Sequence, residues 1–155
     1  MRYHSITARA SALVALLLAV SACAPTIAPY SVEAYKAATS LKAETDALLA
    51  QGTEPFAGHA ADVQALQVRL NAAYEFAKGL PKNANSAALW AKMVDPNGGM
   101  AGGAFSLWKT QSTLSPAFVT EKRQQVADGF SLIICLEANK QKPSVCNAPG
   151  TGDGQ

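Results

Sequence analysis

The chain carries few side chains able to do covalent or acid–base chemistry, so their spacing decides what they can do. Its three cysteines are Cys23, Cys135 and Cys146, and ten residues separate the last two. That gap is not the C-x-x-C of a redox pair, and nothing nearby would depress a thiol pKa. His59 has Asp62 three residues on, close enough to share a helix face. A Ser-His-Asp site also needs a nucleophile beside the imidazole, and no Ser or Cys has an identifiable place there. One such histidine, with no cysteine pair at ligand spacing, does not build a zinc site. The carboxylates Glu33, Glu44, Asp46, Glu75, Glu121, Asp128 and Glu137 are scattered, most of them over polar helix faces. Asn97-Gly98-Gly99-Met100-Ala101-Gly102-Gly103-Ala104 is neither G-x-x-x-x-G-K-[ST] nor G-x-G-x-x-G, and no strand precedes it. These residues point away from an enzyme, with no catalytic residue, no metal and no cofactor expected.

Cys23 has a different context. Arg2 and Arg9 precede an apolar run, Ala12-Leu13-Val14-Ala15-Leu16-Leu17-Leu18-Ala19, and Val20-Ser21-Ala22-Cys23 follows. The run is shorter than the roughly 20 apolar residues of a spanning helix and reads as a signal peptide. Its ending resembles the lipobox of bacterial lipoproteins. The resemblance implies that the chain is cut before Cys23, that the Cys23 thiol carries diacylglycerol and that the new amine is acylated. Val20 and Ala22 also suit ordinary signal peptidase, which would leave Cys23 as a free thiol in a secreted protein. Cysteine parity favours the lipid, because lipidation leaves Cys135 and Cys146 to pair in an oxidising compartment. A tail folding back from the end of a helix has the reach for that bridge, which reads as a structural staple.

The signal also accounts for the net charge of +2. Arg2 and Arg9 leave with it, so the remaining basic and acidic residues balance and no Lys/Arg cluster stands out. Nucleic-acid binding therefore has no electrostatic footing, and membrane affinity must come from the lipid.

The elements that would position these residues are helical. Ala, Leu, Lys, Gln and Glu dominate after the signal, and the strand pattern of alternating Val, Ile and Thr is nearly absent. Residues 1–22 read as signal peptide, 23–30 as lipidated tether, 31–148 as one helical domain and 149–155 as a disordered tail. The fold class is all-α, a small bundle of about four segments with one C-terminal disulfide. The long segments lie near 32–50, 56–78 and 116–140. Ser31 and Ser115 are placed as N-caps, Pro116 at the first helical position and Gly52 at C′. Shorter pieces cover 85–94, capped by Asn85 or Ser86, and 105–113. Core stripes run through Ala34, Ala38, Leu41, Thr45 and Leu48; through Val63, Leu66, Leu70, Ala73, Tyr74 and Ala77; and through Val119, Val126, Phe130 and Ile133.

The glycine-rich stretch at 97–104 reads as a flexible hairpin between helical pieces, or as a mobile contact loop whose binding surface is Trp90, Met100, Phe105 and Trp108. Two functions follow as expectations. One is a non-enzymatic interaction or structural module of the cell envelope, anchored through lipid on Cys23 and contacting an envelope protein. The other is a carrier holding a small apolar ligand between helices lined by Trp90, Trp108, Phe118 and Phe130. Ala24, rather than Asp, after the cysteine resembles the pattern for outer-membrane delivery, facing the periplasm. Lipidation is checked by intact mass. The mature protein should carry a multi-acyl adduct, and Cys23→Ser should release it from membranes or block processing.

Overall fold

The computed structural model describes residues 28–146. Cys23, the signal peptide and the tail at 149–155 lie outside the described residues. Five α-helices follow one another: α1 (Val32–Leu49), α2 (Ala60–Gly79), α3 (Ala84–Val94), α4 (Ala101–Gln111) and α5 (Pro116–Ala138). Short 3₁₀ turns occupy Phe56–Gly58 and Pro143–Val145, and there is no strand among the described residues. α1 packs on α2 and α5, and α3 packs on the same two. Antiparallel pairing of neighbours makes an up-down-up-down four-helix bundle. α4 is a short fifth helix lodged in the connection between α3 and α5, against α3 and the Phe56–Gly58 turn.

Local chemistry explains most boundaries. The Ser31 hydroxyl accepts the Ala34 amide at 3.2 Å, and the Ser115 hydroxyl accepts the Phe118 amide at 3.2 Å. Each satisfies one of the donors that a helix start leaves orphaned. α2 starts at Ala60, not near 56: Phe56–Gly58 form a 3₁₀ turn, with the His59 amide on the Phe56 carbonyl at 2.9 Å, and the i→i−4 bonds begin with the Val63 amide on the His59 carbonyl at 2.9 Å. Gly52 is not a left-handed C′ residue. It is buried, and a Cβ there would sit 3.0 Å from both the Leu49 oxygen and Val119 Cγ2. Only a bare backbone lets the loop after α1 pass the start of α5.

The expected hairpin at 97–104 is corrected most. Its second half is the first turn of α4. A Cβ on Gly102 would collide with the Val94 and Asp95 carbonyl oxygens, and one on Gly103 with the Gly98 oxygen. These glycines therefore allow a helix to seat directly on the backbone of the preceding turn, and flexibility is not their role.

The core sits where the expected stripes converge. Leu70 is 1% exposed, Trp90 2%, Phe130 0% and Ile133 0%. The Trp90 and Phe130 rings meet edge to face, 5.8 Å between centroids at 83°, a geometry worth about 0.5–1.5 kcal/mol beyond burial. Leu49 takes the buried position that Leu48 was expected to hold, and Tyr74 is half-buried on the rim of the α2 stripe. Truncating Leu70 or Phe130 to Ala should cost about 2–5 kcal/mol in denaturant unfolding, with helical circular dichroism retained below the transition.

Candidate functional site

An apolar groove runs between α1 and α2. It forms because the residues that face each other there are small: Ala34 and Ala37 on α1 oppose Ala72, Ala73 and Ala77 on α2. Methyl groups cannot fill the valley between two helices that larger side chains would close. Leu41 and the edge of Trp90 make the floor, Phe76 and Glu33 flank it, and Arg69 also lines it. The volume is about 460 Å³, within the 300–1,000 Å³ range of small-molecule sites. Phe76 is 44% exposed, a large apolar side chain left in water beside the groove.

The Arg69 guanidinium grips both oxygens of Glu44, one of them at 2.6 Å, and fixes α2 against α1. That hydrogen bond holds the Glu44 carboxyl below the usual carboxylate range. Two residues on, round the helix on the side facing α5, Asp46 is bound by Arg123 through two contacts of 2.8 Å. The Asp46 carboxyl is likewise lowered by its hydrogen bond with Arg123, and the guanidinium pKa is raised in return. Both folded-state carboxyl values are depressed, so these pairs contribute above the ordinary acidic range and lose that contribution as pH falls through the folded values. The Asp46 and Arg123 side chains remain 42% and 39% exposed, so their pair sets register more than stability.

A buried polar cluster lies at the end of the bundle where the chain enters. Lys140 Nζ, 3% exposed, donates to Glu137 at 2.9 Å, to Ser86 Oγ at 2.8 Å and to Asn83 Oδ1. The Asn83 amide donates on to the Ala77 carbonyl at 2.9 Å. Glu137 is fully buried, and its second oxygen has no hydrogen-bond partner among the described residues. The expectation that the carboxylates lie on polar faces therefore fails here. The spacing carried the correct signal, since Phe130, Ile133 and Glu137 continue one stripe in steps of three and four. Asn83 also displaces Asn85 and Ser86 from the cap position, and its side chain bonds elsewhere. The Cys135 and Cys146 sulfurs stand at disulfide distance, 2.02 Å, and the Asn139 amide donates to the Cys135 carbonyl at 2.9 Å. Together these contacts hold the turn that carries Lys140 back over the end of α5.

The expected contact loop is not a surface. Trp90, Phe105 and Trp108 are 2%, 1% and 0% exposed, and Met100 is half-buried over Gly129. Large aromatics on the inward face of a helix are buried with the core. Trp108 donates to the Glu54 carbonyl at 2.9 Å and packs between Phe56 and His59. His59 meets Glu54 at 3.0 Å, and together with Asp62 it lines a shallow depression that also holds Glu44 and Arg69. No three His, Cys, Asp or Glu side chains among the described residues are grouped to hold a metal. Comparison of the chain with protein families, curated proteins and solved structures finds no match.

The buried pair gives a test by substitution. Lys140→Ala should strand Glu137 and cost about 3–5 kcal/mol in chemical unfolding. Adding Glu137→Leu to Lys140→Met should recover much of that loss, although Asn83 and Ser86 still lose a partner.

Proposed function

We propose that the protein is a lipid-anchored envelope module that works by contact and not by catalysis, with the α1–α2 groove as its contact surface. The anchor is the lipid on Cys23, and the destination is the outer membrane, facing the periplasm. The partner is an envelope protein. The observation that carries this reading is where apolar surface remains accessible. Trp90, Phe105, Trp108 and Phe130 fill the interior, whereas the alanine-lined groove opens to solvent with Phe76 beside it. A contiguous apolar surface flanked by polar side chains is what interaction sites present. The second reading, a carrier of a small apolar ligand, moves from the bundle interior to this same groove, because Trp90 and Phe130 already pack on each other.

Filling the valley separates the two readings. In-cell crosslinking through a photoreactive residue at Ala72 should capture a defined protein, and Ala37→Leu with Ala73→Leu should abolish that capture. A small molecule retained in native mass spectrometry, and lost in the same double variant, would favour the carrier instead. Neither result would sink the groove as the site.

A further inference from the structure

Five large hydrophobic side chains stand exposed among the described residues: Tyr30, Val32, Val68, Phe76 and Val145. All but Val68 belong to one end of the bundle. Tyr30 and Val32 lie at the entry to α1, Phe76 is one turn from the end of α2, and Val145 is in the 3₁₀ turn after α5. The entering chain is tied to that end. Ala28 is 1% exposed, and its amide donates to the Lys82 carbonyl in the α2–α3 turn at 3.1 Å. The opposite end carries none of the five.

We infer that this end of the bundle rests on the bilayer surface, with Tyr30, Val32, Phe76 and Val145 at the headgroup level. The inference depends on the proposed lipid at Cys23, and chain length then fixes the orientation. Five residue steps join Cys23 to Ala28, and an extended chain covers at most about 17 Å over that distance. The opposite end of the bundle is a further 35 Å or so away, the rise of a helix as long as α5. A lipid-tethered domain in which Ala28 is already buried therefore holds this end within reach of the interface. Tyrosine is enriched at membrane–water interfaces because its ring is apolar and its hydroxyl is wet. Apolar groups at such a surface gain by entering the headgroup boundary to a depth of about 5–10 Å. Tyr30 sits 6.4 Å from the Tyr35 ring, so two amphipathic rings flank the start of α1.

The test places the photoreactive amino acid benzoylphenylalanine, one position at a time, in the full chain expressed in a bacterial host. Tyr30, Phe76 and Val145 are the expected contacts, and Val68 and Ala57 are the controls. Tyr30 and Phe76 exchange one aromatic side chain for another at exposed positions, so they report even if another variant folds poorly. After illumination of intact membranes, mass spectrometry should find phospholipid adducts several-fold more abundant at the three contacts than at the two controls. Equal labelling at all five positions, or crosslinks from Tyr30 and Val145 to protein and not to lipid, overturns the inference. The intact mass of the same samples separates the two layers. A multi-acyl adduct without preferential lipid crosslinks sinks only the orientation, whereas a missing adduct removes the anchor and the orientation together.

Discussion

The packing of Trp90 on Phe130 is the contact on which the rest of the bundle depends. It joins α3 to α5, which lie side by side, and these two in turn pack on α2 and α1 respectively. Two large rings meeting edge to face set the thickness of the core at that level. The helices around them must then approach through small residues. Ala34, Ala38, Ala73 and Ala77 are the buried positions that allow α1 and α2 to come in over Trp90. Gly129 makes the same allowance on α5, where the Met93 and Met100 methyl groups crowd the missing side chain. Large residues in the middle and small ones around them give native density at the centre. The groove is the by-product, because alanines that pack well on the inside leave a valley on the outside.

The chain-entry end follows a different logic. Lys140 and Glu137 carry charge into a place where hydrophobic residues would pack more cheaply, and a buried pair of this kind is poor support for stability in itself. Its geometry is better read as registration. Lys140 reaches residues on α3 and α5 at once, so only one docking of the turn after α5 satisfies all three of its donors. The disulfide-distance pair brings the same turn to the helix from the other side. Ala28 and the α2–α3 turn complete that end. Three separate connections thus tie down a region that short loops alone would leave loose.

Much of this was legible in the residues. Steps of three and four gave the faces of α1, α2 and α5, and the Ser-Pro start of α5 was readable from its chemistry. The misplaced glycines share one cause. A glycine can signal a turn or a close approach, and only the neighbour decides which. Gly52, Gly102 and Gly103 all serve close approach, and their neighbours are distant in sequence or come from the preceding turn. Glu137 was missed for the converse reason: its residue type argued for solvent while its spacing argued for the core. Spacing prevailed because Lys140, Asn83 and Ser86 supply the hydrogen bonds that residue type alone could not foresee. The contact loop failed because Trp and Met suit a binding surface and a core equally well, and because the short helix expected at 105–113 begins earlier, at Ala101.

The groove and the chain-entry end are linked by their positions on α1 and α2. Phe76 borders the groove and belongs to the apolar end, and Glu33 lies one residue beyond exposed Val32. Under the proposed anchoring, the groove therefore opens beside the bilayer, and its axis runs along α1 away from the surface. A partner entering it must come from the membrane-proximal layer or be a membrane protein presenting a segment just above the headgroups. A lipid tether raises the local concentration of such partners, because both species are confined to one thin layer. The groove can then act with an affinity too weak to hold a partner in free solution. That is consistent with alanine lining, which gives area and shape but few anchoring hydrogen bonds, and it explains why a domain this small would be tethered at all.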